Sequence, residues 1–132
     1  MSANPAFASI PRLGFGSIST ANTNFDGTGT IVDLLTGVTA GTRIERITIV
    51  ATVDPADSMV NIFLHDGTSY RYFDSFDLGN PASGSTTVPP YREERPYQDL
   101  VLPSSSWKIA ASITVALTSG VINAFVHGAD LT

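Results

Sequence analysis

From Thr28 onward, apolar and polar residues alternate with a period of two, the pattern of strands that bury one face. Residues 30–35 form the first such run. Residues 43–53 form the strongest, with Ile47, Ile49, Ala51 and Val53 on one side and Arg46, Thr48, Val50 and Thr52 on the other. Asp54 and Pro55 end it, because proline has no N–H for a ladder. Val60, Ile62 and Leu64 make the inward face of the next strand, and Tyr70, Tyr72 and Phe76 return along its partner. Between them lie Asp66 and Gly67, a short hairpin signal that tolerates positive φ. Residues 91–102 read as an edge strand, since Pro96 interrupts the run and Arg92, Glu93, Glu94 and Arg95 charge it. Trp107, Ile109, Ala111, Ile113 and Val115 alternate in a further strand, and residues 121–126 form the last, after a turn at Ser119 and Gly120.

Seven or eight short strands with frequent turns, and no segment of helical period, define an all-β chain. The expected architecture is a single β-sandwich of jelly-roll type, with Ile47, Ile49, Val60, Ile62, Leu64, Ile113, Val115 and Phe125 in its core. Two stretches stand apart. Residues 1–16 read as an extended N-terminal arm ahead of the sandwich at 17–132, because Pro5 and Pro11 remove backbone donors and Gly14 and Gly16 weaken a strand. Phe7, Ile10, Leu13 and Phe15 are nevertheless apolar, so the arm must lie across its own domain or clasp a neighbour. Residues 78–90 are rich in Gly, Pro, Ser and Thr and exceed an ordinary connection. They lead into Val88, Pro89, Pro90 and Tyr91, a second candidate contact whose prolines limit the entropy lost on docking.

Composition changes this picture in one direction. Of 132 residues only 14% are charged, well below the usual share of about 25%. A surface rich in Ser, Thr, Gly and Asn is easily desolvated, which suits contact with other proteins. The net charge of −5, without a basic stripe, argues against nucleic acid as a partner. The absence of cysteine excludes disulfides, thiol catalysis and thiolate metal sites, and suits folding in a reducing cytoplasm. No apolar run approaches the roughly 20 residues of a membrane span, and residues 1–16 lack the apolar block of a secretory signal.

Candidate chemistry is weak throughout. Asn22, Asn24, Asp26, Thr28, Thr30 and Asp33 match the spacing of a twelve-residue calcium loop with Gly27 at its centre. The first ligand, however, would be a neutral Asn and the last a short Asp, and an Asx-rich turn explains the same residues more simply. Gly14 with Gly16, and Gly27 with Gly29, lack the strand–turn–helix setting of a dinucleotide site. His65 and His127 could meet at one end of the sandwich, where Asp66 or Asp130 could complete a zinc site, although histidines at strand ends are far commoner than ligands. Glu93 and Glu94 are adjacent on a strand and point to opposite faces, so they cannot share a substrate. Trp107, Tyr70, Tyr72, Tyr91 and Tyr97 could form a sugar-binding platform, but Trp107 opens an apolar alternation and belongs to the core. No cofactor, metal or catalytic residue is expected, and the chain reads as a non-enzyme.

Several segments are familiar together: 17–23 (SISTANT), 26–30 (DGTGT), 41–47 (GTRIERI), 64–71 (LHDGTSYR), 100–104 (LVLPS) and 128–131 (GADL). In these the chain resembles small structural proteins encoded by tailed bacteriophages and prophages. The resemblance implies a virion component, and within that group a head decoration or cement protein on the capsid surface. Its implied partners are the major capsid protein and copies of itself in a homo-oligomer such as a trimer, with no nucleic acid and no membrane. A carbohydrate-binding or host-recognition module of a virion fibre, or another head or tail component, is the alternative. The residues expected to carry binding are Phe7, Ile10, Leu13, Phe15, Val88, Pro89, Pro90 and Tyr91.

Overall fold

The computed structural model describes residues 8–52, 58–79, 85–117 and 120–131. Among them are eight strands and no helix: β1 (Ala8–Ile18), β2 (Val32–Thr36), β3 (Thr42–Ala51), β4 (Ser58–His65), β5 (Tyr70–Gly79), β6 (Tyr91–Leu102), β7 (Lys108–Ile113) and β8 (Ile122–Leu131). Their pairing is that of one long ribbon folded back at the turn after His65. In this ribbon β4 pairs with β5, β3 with β6, β2 with β7 and β1 with β8, all antiparallel. The ribbon then wraps on itself, bringing β8 beside β3 and β7 beside β4. Two four-stranded sheets result, ordered β1-β8-β3-β6 and β2-β7-β4-β5. This is the strand order of a jelly roll, two sheets built from Greek keys around one core.

The ribbon's hinge is held by its own residues. Asp66 N–H donates to the Ser69 carbonyl at 3.3 Å, and Asp66 Oδ1 accepts from Thr68 and Ser69 N–H at 2.9 and 3.0 Å. Gly67 has φ of +96°, which a side chain would strain, so it takes the first position of the tight turn while Asp66 flanks it. Those backbone donors, with the Arg71 guanidinium, hold the Asp66 carboxyl well below the usual carboxylate range.

Between the sheets lie Ile18, Ile44, Ile47, Ile49, Val60, Ile62, Phe76, Leu102, Ile109, Ile113 and Ile122, all buried. Each aliphatic side chain taken fully from water contributes about 1.5–3 kcal/mol, so this set is the main source of stability. Ile47, Ile49, Val60, Ile62 and Ile113 are where the alternation places them, and Leu64 packs partly against the core. Val115 lies beyond the end of β7 and is half-buried, outside the strand expected to carry it. Phe125 also departs from expectation. On β8 the inward residues are Ile122, Ala124 and Val126, so Phe125 faces outward and packs its ring against Phe15, with centroids 6.1 Å apart. Its strand runs on to Leu131, past Gly128, because β1 and β3 pair along its full length.

The expected arm is a sheet strand from Ala8 onward, and β1 continues without a break through residue 16 to Ile18. The glycines that weaken a strand in isolation are what this one requires. Gly14 and Gly16 face inward, directly over β2. A Cβ on Gly14 would stand 2.2 Å from the Leu34 carbonyl oxygen, and one on Gly16 would stand 2.8 Å from Val32 Cγ1. Their absent side chains let β1 close that flank of the sandwich. Arg12 secures the flank, bonding Asp130 Oδ1 at 3.0 Å and the Thr36 carbonyl at 3.1 Å, while Thr42 Oγ1 donates to the same Asp130 oxygen at 2.8 Å. Phe7 lies outside the described residues.

Candidate interaction surface

The two outer faces of the sandwich are treated differently by the chain. On the β2-β7-β4-β5 sheet the outward residues Asn61, Phe63, Ala110 and Ser112 are buried. The β1–β2 connection, residues 19–31, passes over them. Phe25 from this connection meets Tyr72 edge-on at 4.9 Å, and Tyr72 in turn meets Phe63 at 6.1 Å. The Asx-rich stretch is the framework of this cover. Asn22 is buried with its Nδ2 donating to the Thr28 and Thr30 carbonyls at 2.8 and 3.0 Å, and Asp26 Oδ1 accepts from Thr28 N–H and Oγ1. Asp33 is engaged elsewhere, with Lys108 Nζ at 2.8 Å and the Tyr70 hydroxyl at 2.6 Å. The residues with calcium-loop spacing therefore do not converge on one point.

The opposite face, on β1-β8-β3-β6, has no such cover among the described residues. The ladder aligns its outward side chains in rows: Ser17, Asn123, Val50, Arg92; then Phe15, Phe125, Thr48, Glu94; then Leu13, His127, Arg46, Pro96; then Pro11, Ala129, Arg43, Val101. Reading across the rows, the face is apolar toward β1 and charged toward β6. Phe15 and Leu13 are 68 and 56% exposed, so the apolar half is open to solvent. Between the halves runs an open groove of ≈ 470 Å³, lined by Pro11, Leu13, Glu45, Arg46, His127 and Ala129 among others. Glu45 reaches it because a bulge at that position breaks the alternation of β3.

The charged half is organised by Glu94. It accepts from Thr48 Oγ1 at 3.1 Å and pairs with Arg92 at 2.7 Å and Arg46 at 3.8 Å. The Thr48 hydrogen bond, helped by the two arginines, holds its carboxyl below the ordinary range against the opposing effect of burial. His127 Nε2 lies 3.3 Å from the same Thr48 oxygen. With the hydroxyl donating to Glu94, that ring nitrogen must be the donor. The order is thus carboxylate, hydroxyl, imidazole, whereas a nucleophile relay needs hydroxyl, imidazole, carboxylate.

Of the residues expected to bind, Ile10, Leu13 and Phe15 stand on β1 at one edge of this sheet. Val88, Pro89 and Pro90 are exposed just before β6 at the other edge, and Tyr91 is half-buried against the core. Tyr91 shares a row with Ala51, Ile122 and Ile18, so the two sets lie three strand spacings apart, about 14 Å. They belong to one sheet but do not touch. Phe125, His127, Arg43, Arg46 and Glu94 were not anticipated as members of this face. The polar side of the β3 alternation was legible, whereas the outward set on β8 could be identified only by giving Asn123 precedence over the size of Phe125.

The remaining motifs disperse. His65 sits at the β4–β5 turn, where its Nδ1 accepts from Gly67 N–H at 3.0 Å, and His127 is in the other sheet, so the two histidines do not meet. No group of three His, Asp or Glu suited to a metal occurs among the described residues. Tyr97 and Arg95 bond Asp74 at 2.8 and 2.6 Å across the β5–β6 flank, and the tyrosine is half-buried there. Burial, then the Asp74 carboxylate, pushes its hydroxyl well above the usual tyrosine range. Tyr70 and Tyr72 are held by Asp33 and Phe25. The tyrosines thus serve four separate contacts rather than one platform.

This strand order defines the chain as a jelly-roll protein. No protein-family model matches its sequence, and no curated protein matches it either. Among solved structures, a chain of the acidic stable capsid structure of Helicobacter pylori bacteriophage KHP30 shares the fold, with a TM-score of 0.59 at 14% identity, covering 97% of this chain and 95% of that one. A chain of the cyanophage Pam1 capsid asymmetric unit aligns with a TM-score of 0.45 at 13% identity, covering 98% and 91%.

Proposed function

We propose that the chain is a non-enzymatic structural protein of a phage virion, a decoration or cement protein that docks on the assembled head through the outer face of its β1-β8-β3-β6 sheet. The observation that carries this reading is the asymmetry of the sandwich. One outer face is sealed by the chain's own residues 19–31, while the other presents Leu13 and Phe15 to solvent beside an open groove. Exposed apolar bands of this kind mark protein contacts. Support comes from a fold shared over nearly the whole length with a chain of a phage capsid structure. The partners are then the major capsid protein and neighbouring copies of this chain.

A rigid sheet makes a better clamp than a free arm, because its side chains lose little further freedom on docking. Val88, Pro89 and Pro90 at the opposite edge supply a second point of contact, and many copies make a weak site sufficient. Removing residues 2–16, however, would take out β1 and bare the β8 edge, so whole-arm deletion tests folding rather than binding. The decisive experiment is to purify particles of the encoding phage or prophage, locate the protein by immunogold labelling, and compare the heat stability of particles lacking it. Labelled heads, and deletion particles that burst at lower temperature, are expected. Absence from particles, or label confined to tails, overturns the reading.

A further inference from the structure

The distribution of charge specifies the surface that the open face receives. The chain has seven cations and twelve acidic residues. Four cations outside the outward rows are held in ion pairs: Arg12 with Asp130, Arg71 with Asp66, Arg95 with Asp74 and Lys108 with Asp33, at 2.6 to 3.0 Å. The other three, Arg43, Arg46 and Arg92, all stand on the open face, where Glu94 shares their rows and Glu45 stands at the bulge of β3. Glu94 is already shared between Arg46, Arg92 and Thr48. Arg43 is exposed and has no ion-pair partner among the described residues. The outward rows therefore carry three arginines and one acid, Glu94, on a chain whose overall charge is −5.

We infer that the partner surface is a protein face bearing carboxylates beside an apolar strip, the carboxylates meeting Arg43 and Arg46 and the strip meeting Leu13, Phe15 and Phe125. This deepens the decoration reading and rests on it, naming the acceptor as an acidic, part-apolar region of the shell protein. Arginine suits the task because its planar fork takes a carboxylate through two hydrogen bonds. The ladder presents Arg43 and Arg46 on β3, two strands from the apolar edge, so both zones engage one flat surface together. A phosphate backbone is disfavoured, since Glu45 and Glu94 interrupt any continuous basic track. The same charge division orients the molecule. An acidic shell is met by the three arginines of the outward rows, while the overall charge of −5 keeps free copies apart.

The test compares two single charge reversals that change net charge equally, Arg43→Glu on the face and Arg71→Glu on the β4–β5 hairpin. Shells lacking the protein are incubated with wild type or variant at about 0.05 M and about 0.5 M salt, and bound protein is measured by co-sedimentation. Arg43→Glu should weaken binding at least about tenfold at low salt, as expected when like charges are set against each other. Arg71→Glu should leave it unchanged, and high salt should weaken wild type and narrow the gap. Matching thermal melts establish that both variants fold. Equal binding by the two variants overturns the inference and leaves the decoration reading standing. Failure of wild type to bind at all overturns both. Sedimentation of the chain alone supplies the other arm: a homo-oligomer dispersed by Arg43→Glu, with shell binding intact, assigns the face to a second copy and overturns the acidic-shell partner.

Discussion

Gly14→Ala tests the most specific packing statement in this fold. In an exposed strand the change should help, because alanine restricts the unfolded chain and stabilises by about 0.4–1 kcal/mol where its backbone geometry is compatible. Here the new Cβ would lie 2.2 Å from the Leu34 carbonyl oxygen and 2.8 Å from Leu35 Cβ. The nearer atom is backbone within β2, so relief requires β1 or β2 to move. Overpacking of this kind costs about 1–3 kcal/mol, and the backbone contact puts this site at the upper end. A net loss of about 2 kcal/mol should lower the melting temperature by about 6–10 °C for a domain of this size. Phe15→Ser, one residue away, supplies the contrast. Its ring is 68% exposed, so truncation should cost less than about 1 kcal/mol while removing part of the apolar band. Thermal and urea unfolding of both variants, followed by circular dichroism, decide the matter through the sign. If Gly14→Ala is neutral or stabilising, β1 is not pressed onto β2 and the closed flank described above is wrong.

Gly67→Val should destabilise by about 1–2 kcal/mol, read from urea midpoints, because φ of +96° is strained for a branched side chain; unchanged midpoints would move the ribbon's hinge elsewhere. Ile62→Ala should cost about 2–5 kcal/mol in the same assay, as a fully buried side chain leaving a cavity. Burial pushes the Asp74 carboxyl up, but hydrogen bonds from Arg95, Tyr97 and Ser75 N–H outweigh it and hold the group below its ordinary 3.8. Its stabilising contribution is therefore present above the ordinary value and lost as pH falls through the lowered one, so Asp74→Asn should flatten the acid limb of the stability profile. An unchanged limb would show that the flank network does not carry charge-dependent stability. Chelator treatment should leave the melting temperature unchanged, since the Asn22 amide is bonded to backbone carbonyls; a fall reversed by calcium would refute that.

What the sequence by itself determined is what short-range periodicity encodes. The alternation from Ile47 to Ala51, the inward set Val60, Ile62 and Leu64, the turn at Gly67, and an edge strand marked by Pro96 and its charges were all legible. Each is set by neighbours within a few residues, and each is found. The all-β class and the sandwich followed from the same signals, but the jelly-roll order is carried by pairings such as Ala8 with Leu131, at opposite ends of the chain. No local pattern encodes such a pairing. Tertiary structure also decided the meaning of Gly14 and Gly16, which are breakers in isolation and are required once β2 lies beneath them. It decided the face of Phe125, because a residue of that size is buried only if something covers it. The covering segment, residues 19–31, lies over the other sheet. Which outer face is left bare, and so available for contact, is a property of where a distant loop comes to rest, and that is fixed only when the two sheets have packed.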